Sequence, residues 1–342
     1  MIWCLMSLSV YPMFLCLTWL LFFVDDIFRP SVKRQKIDQP LFIVGNFRCG
    51  STFLQRLLAS DAANFSSCSG WEVMFVPSFS GRQFIQGIFI VDRWIGSPLR
   101  YLVAKFEQKM IRTDNIHKVA LREPEEDESL FIPAFTSAFL MFISPDPKLF
   151  REYYTFDTHI PPRKKMKNLQ YYDACVKRHM RFHRKSRHYL SKSPTFTMRC
   201  LSLRRQFPDA RFIYLLRNPL DLIPSLMTWF SQNWSALQKK DARYPHWDFV
   251  MDFVKYWYID SLEILSGFSD EQVMFVMYDD LVSSPLDTLT SIYSWLNIEL
   301  SEDFQKYILQ TQKRNVKGWK EGRYRTDDID FSQIREVLAP VF

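Results

Sequence analysis

Apolar residues are packed most densely at the start of the chain. Ile2 to Val24 carries no charged residue, and its length matches the roughly 20 residues that cross a bilayer. This run predicts a transmembrane anchor over residues 1–24, with a linker over 25–40. A signal peptide is the alternative, but no basic segment precedes the run and no small-x-small cleavage pattern follows it. A buried core helix is a third reading. Arg29, Lys33, Arg34 and Lys36 lie after the run, so the charge asymmetry places the rest of the chain in the cytoplasm. From Pro40 the pattern changes to short buried runs separated by amphipathic stretches. Leu41–Val44, Arg211–Leu216 and Val273–Tyr278 read as strands buried on both faces. Ser51–Ser60 has Phe53, Leu54, Leu57 and Leu58 at helical spacing, Pro219 opens another helix, and Pro285–Leu296 is amphipathic. Alternating buried strands and helices predict an α/β fold: three layers around a central parallel sheet, over residues 41–342. Residues 65–185 read as a helical insertion beside the acceptor.

Composition adds constraints. The chain has 342 residues, of which 16% are aromatic and only 9 are glycine, so each glycine is expected to hold a specific turn. The formal charge of +7 suits an anionic ligand, yet no basic run has the aromatic interleaving of a nucleic-acid arm. The six cysteines form no CxxC pair or Cys/His metal spacing, so no metal site is expected. A disulfide among Cys68, Cys175 and Cys200 is compatible with the spacing but not required by it.

The first chemical signal is Gly45-Asn46-Phe47-Arg48-Cys49-Gly50-Ser51-Thr52, between a predicted strand and a predicted helix. Backbone N–H groups and a helix N-terminus there favour an anion. The spacing is that of a Walker A loop, but Ser51 stands where that loop carries lysine, and the cation is Arg48 instead. The second signal is Arg217-Asn218-Pro219 at the end of a predicted strand, with Ser225 about two turns into the next helix. A guanidinium and a hydroxyl make a phosphate seat. Two seats at the carboxyl ends of parallel strands fit a nucleotide phosphorylated at both ends of its ribose.

At these residues the chain resembles the sulfotransferase superfamily. Asn46 to Leu54 is similar to its 5′-phosphosulfate loop, Arg217 to Ser225 to its 3′-phosphate site, and Leu190-Ser191-Lys192-Ser193-Pro194-Thr195-Phe196 to a segment of heparan-type members. His117-Lys118 with Glu123 to Glu128 resembles a block of a broad microbial branch. The resemblance implies a transferase that moves a sulfuryl group from the co-substrate PAPS to a hydroxyl of a carbohydrate, lipid or small alcohol, with no metal. It implies that Arg48, Cys49, Gly50, Ser51, Thr52 and Phe53 hold the 5′-phosphosulfate. Arg217 and Ser225 would take the 3′-phosphate. Arg48 and Lys192 would be the catalytic cations. Ser191 replaces a glutamate base, so His117 becomes the first candidate base and Glu125 or Glu126 the next. The acidic run Glu123–Glu128 otherwise reads as a solvated face, and His179, His183 and His188 as part of an exposed basic helix. Lys313 to Lys320 loosely resembles a segment that closes over the nucleotide. Resemblance to Golgi enzymes places the catalytic part in the lumen, against the flanking charges, and the expected location is a single-pass endomembrane protein. The rival readings are a P-loop NTPase or kinase, and an inactive membrane scaffold of the same fold.

Overall fold

The computed structural model of the protein describes residues 2–111, 121–143, 147–235, 247–318 and 329–341. Five strands form one parallel sheet: β1 (Leu41–Gly45), β2 (Phe65–Ser66), β3 (His188–Lys192), β4 (Arg211–Leu216) and β5 (Val273–Met277), in the order β2-β3-β1-β4-β5. The period-2 alternation of strand side chains divides the core. Leu41, Ile43, Leu190, Ile213 and Leu215 pack on one face. Phe42, Val44, Tyr189, Phe212 and Tyr214 pack on the other. Helices cover both faces, as a parallel sheet with buried strands requires. The helices Ser51–Ala59 and Pro285–Leu296 fall where the sequence pattern predicts them. β3 and β2 are additions: β3 brings Ser191 and Lys192 to a strand end beside β1, with Ile43 paired to Lys192.

The order of strands sets the site. β1 lies between β3 and β4, so the chain leaves β1 toward one edge, returns as β3, and crosses to β4. Ligands bind such sheets at the carboxyl ends where the winding direction switches. Gly45, Lys192 and Leu216 are the last residues of these three strands.

The predicted transmembrane anchor is not supported. Among the described residues, no helix is long and apolar enough to cross a membrane. The first helix, Ile2–Phe28, does not stop at Val24 but continues through Asp25 and Asp26. Its second half is fastened to the domain by charge. The buried Asp25 carboxylate accepts the N–H groups of Phe79 at 2.7 Å and Ser80 at 2.8 Å, at the start of the Phe79–Trp94 helix. Arg178 donates to Asp25 at 3.0 Å and to Asp26 at 2.6 Å, and its guanidinium lies 4.0 Å from the Phe22 ring centroid. The segment that follows is also docked, since Val32 is buried. Cys68, Cys175 and Cys200 are buried free thiols, with no disulfide among them.

Candidate functional site

The loop after β1 is shaped by its backbone. Gly45 has φ 135°, and a Cβ there would lie 2.6 Å from the Leu215 carbonyl oxygen of β4. The Thr197 hydroxyl accepts from the Gly45 N–H and donates to the Gly45 carbonyl, both at 2.8 Å. Gly50 has φ 94°, and a Cβ there would meet the Tyr278 ring at 2.6 Å. Between them Arg48 takes φ 70°, a left-handed conformation costly for a residue with a side chain. The loop thus enters the Ser51–Ala59 helix with the first N–H groups of that helix directed at the strand ends, where the helix dipole favours an anion. Ser51 is buried, Thr52 and Phe53 are half-buried, and Phe53 packs against the core.

Side chains then join what the sequence presents as two separate seats. Arg48 Nε donates to Ser225 Oγ at 3.0 Å, and Arg217 Nη1 donates to the Arg48 carbonyl at 2.8 Å. Tyr258 holds the Arg217 carbonyl at 2.6 Å, and the Arg217 guanidinium sits 4.4 Å from the Tyr278 ring centroid. Arg217 Nε is buried and has no hydrogen-bond partner among the described residues. Such an orphaned donor is unusual and is the expected mark of a position that receives an acceptor. Cys49 contributes differently from its neighbours. Its thiol is buried under the loop, and burial raises its pKa although Lys192 and Arg217 are near enough to pull it down. It therefore stays a neutral packing group.

Lys192 lies at the end of β3, only 2% exposed, and its Nζ donates to Glu126 Oε1 at 2.6 Å. Glu126 Oε2 is buried without a hydrogen-bond partner among the described residues. Ser191 points to the opposite face, where its hydroxyl lies 3.2 Å from the Tyr172 hydroxyl. His117 lies outside the described residues, as do the side chains of Lys313 to Lys320.

The acidic run is not a solvated face. Glu126, Asp127 and Glu128 are buried, each with its own partner. Glu126 pairs with Lys192, and Glu128 pairs with Arg199 at 3.0 Å. Asp127 Oδ2 accepts the hydroxyls of Tyr172 and Tyr189, and burial pushes its carboxyl up to about 6. Glu128 is raised by burial too. Only the front of the run stays near solvent: Glu123 lies 4.0 Å from Arg56 at the surface.

The basic helix also turns inward. His179 on Pro162–Phe182 is fully buried, and burial keeps its imidazole neutral. Its ring, Glu72 and His183 place their ligating atoms within 4.8 Å of one another. A guanidinium already fills this cluster: Arg82 Nη1 lies 2.9 Å from His179 Nδ1 and 3.1 Å from Glu72 Oε1. Burial alone would raise the Glu72 carboxyl, but the Arg82 guanidinium and the hydrogen bond to His183 hold it well below the usual range. The cluster is an ion network that fixes the helices rather than a metal cage.

Sequence reasoning missed Thr197, Tyr258 and Tyr278 as shapers of the loop. Tyr278 had a signal available, because it directly follows β5 as Arg217 directly follows β4. The joining of Arg48 to Ser225 had none, since the partners lie 177 residues apart.

Comparison with known proteins bears on the family and the fold. The sulfotransferase family model matches residues 40–302. Over 279 residues the chain is 25% identical to the omega-hydroxy-beta-dihydromenaquinone-9 sulfotransferase Stf3 of Mycobacterium bovis, and equally to that of Mycobacterium tuberculosis. The match covers 79% of this chain and 65% of the curated relatives, so the chain spans just under two thirds of their length. Two solved structures share the fold. Sulfotransferase STF9 of Mycobacterium avium has TM-score 0.73 at 17% identity, covering 94% of this chain and 80% of that one. Sulfotransferase STF1 of Mycobacterium tuberculosis H37Rv has TM-score 0.70 at 17% identity, covering 96% and 83%.

Proposed function

Because the chain belongs to the sulfotransferase family, we propose that it transfers a sulfuryl group from PAPS to a hydroxyl of an apolar acceptor. The observation that carries the reading is the joined cation cluster: Arg48, Ser225 and Arg217 linked across the carboxyl ends of β1 and β4. The residues fit the nucleotide. The charged and hydroxyl groups at these strand ends are donors, the orphaned Arg217 Nε needs an acceptor, and the adjacent carboxylate Glu126 is neutralised by Lys192. PAPS, when bound, supplies the sulfuryl group and a phosphate as leaving group.

The chain's own residues then have distinct tasks. The amides of Gly50, Ser51 and Thr52, with the helix N-terminus behind them, hold the 5′ end, and Phe53 packs beneath. Arg217 and Ser225 hold the 3′-phosphate. Arg48 and Lys192 stabilise negative charge on the leaving oxygen, a preorganised electrostatic role. Glu126 accepts the acceptor's hydroxyl proton at Oε2, the oxygen left without a partner. Glu126 takes this task because it is fixed beside Lys192 at 2.6 Å and its second oxygen has no hydrogen-bond partner among the described residues. The acceptor named in the mycobacterial relatives and the aromatic content of the region between β2 and β3 support an apolar acceptor.

The test pairs binding with turnover. PAP, the desulfated product, should raise the unfolding temperature, while ATP should not. In single-turnover transfer, Arg48→Ala should lose roughly 10²–10³-fold in rate with the unfolding temperature little changed, and Glu126→Gln roughly 10²–10⁴-fold with a lowered unfolding temperature, because buried Lys192 loses its carboxylate. Stabilisation by ATP alone, or full turnover by Arg48→Ala, would overturn the assignment.

A further inference from the structure

Two helices between β2 and β3, Phe79–Trp94 and Pro98–Ile111, make a hairpin with an apolar outer side. Phe84, Ile88, Val91 and Ile95 follow at helical spacing and, with Pro98 and Leu99, line an open groove of about 510 Å³. The tip is rigid. Gly96 and Ser97 take φ 92° and 63°, and Asp92 locks the turn. Its carbonyl accepts the Ser97 N–H at 2.7 Å, and its carboxylate caps the second helix through Leu99 at 2.7 Å and Arg100 at 3.2 Å. On this fixed turn Trp94 is 85% exposed, beside exposed Ile95, Tyr101 and Leu102. A contiguous exposed apolar face of this kind marks an interaction site.

Charge identifies the partner. Arg93 and Lys105 are exposed at the rim, and Arg100 is half-buried beside them. The two carboxylates of these helices are occupied by backbone N–H groups: Asp92 in the turn, and Glu107 by Leu121 at 2.9 Å. Arg100 also lies 4.0 Å from the Asp92 carboxylate, which leaves Arg93 and Lys105 as the exposed cations, and the face offers apolar residues, interfacial aromatics and these two cations together, the composition of an element lying in a membrane interface. A second copy docking on this face would set cationic rim against cationic rim, an opposed arrangement.

We propose that the hairpin is a peripheral seat on an anionic lipid bilayer. Trp94, Ile95 and Leu102 enter the acyl boundary, and Arg93 and Lys105 meet lipid phosphates. The hairpin lies on the membrane and spans nothing.

The experiment is co-sedimentation of the full chain with vesicles. The chain should bind phosphatidylcholine vesicles containing phosphatidylglycerol, and bind pure phosphatidylcholine at least roughly tenfold more weakly. The double variant Trp94→Ser/Ile95→Ser should lose roughly tenfold or more in affinity, with its circular dichroism and its stabilisation by PAP unchanged. That second readout reports the nucleotide site separately. Arg93→Glu/Lys105→Glu should weaken binding to the anionic vesicles only. Unaltered binding by the tip variant would assign the contact elsewhere, for example to the N-terminal helix, and overturn the proposal. Failure of the unmodified chain to bind anionic vesicles would do the same. So would light scattering that shows a dimer dissolved by the tip variant, because the face would then belong to a second copy.

Discussion

The loop at Gly45–Thr52 and the stretch at Glu126–Glu128 meet the same strand ends, and they are held there by different means. The loop is a backbone device. Two positive-φ glycines, a strained Arg48 and the Thr197 clamp fix its path, and its side chains project onward to Ser225. The acidic stretch is a side-chain device. Its short 3-10 segment, Asp127–Ala134, has little intrinsic stability, and its position depends on buried partners: Lys192, the two tyrosines and Arg199. The difference separates function from stability. Altering an anion-facing side chain on the loop should remove turnover and leave the fold. Altering a partner in the acidic stretch should leave a charge stranded in the core.

The largest effect expected from this contrast is at Glu128. Arg199 and Glu128 are both essentially inaccessible, and the Arg199 guanidinium is boxed by Phe131 at 4.5 Å, Phe156 at 4.7 Å and Phe196 at 5.2 Å. Glu128→Ala should therefore cost about 3–5 kcal/mol of stability, read as a lower urea midpoint. The contrast breaks if Glu128→Ala costs less than about 1 kcal/mol, the range of an exposed pair.

The same contrast explains how far the chain could be read in advance. The strands β1, β4 and β5 are short apolar runs, β1 bounded by Pro40 and Gly45 and β4 closed by Arg217, and the glycine loop announces itself by spacing within eight residues, so these were legible. β2 has only two residues and carries no such pattern. The acidic run looked solvated because its neutralising partners are remote in sequence: Lys192 lies 66 residues from Glu126, and Arg199 lies 71 from Glu128. His179 misled for the same reason, since Arg82 is 97 residues away. The N-terminal helix shows the converse error. Its apolar composition is that of a span, but the decisive contacts come from Asp25 and Asp26, which pair with Arg178 more than 150 residues later.

Asp127 sharpens the contrast through pH. Its carboxyl rises from the ordinary 3.8 to about 6 because it is buried, with only hydroxyl donors and the more distant Lys192 in opposition. Below pH 3.8 the folded and unfolded forms are both protonated, and this group's contribution to stability is fully present. As pH rises toward 6 the unfolded carboxyl ionises first, so that contribution is lost, by about 3 kcal/mol once the pH exceeds the folded value. Asp127→Asn keeps an acceptor oxygen for Tyr172 and Tyr189 and cannot ionise. The stability of the variant relative to the unmodified chain should therefore climb by about 2 kcal/mol between pH 4 and pH 7, in urea titrations at matched ionic strength. A difference that does not change with pH would mean that Asp127 is charged in the fold, and that the acidic stretch is wetter than its burial implies.

The smallest effect belongs to Ser225, and it asks whether the loop and the β4 end really act as one seat. The Ser225 hydroxyl receives Arg48 Nε at 3.0 Å and is itself buried on the helix that Pro219 opens. Ser225→Ala removes one donor to a bound phosphate and one acceptor for Arg48, with no change in backbone and little change in volume. The cost in PAP affinity should be about 1 kcal/mol, roughly a fivefold rise in Kd, measured by calorimetry. If the seats are joined, the PAP-affinity defects of Arg48→Ala and Ser225→Ala should not add in the double variant, because each has already broken the same contact. Full additivity would return the site to two independent halves, with Ser225 serving the 3′-phosphate alone.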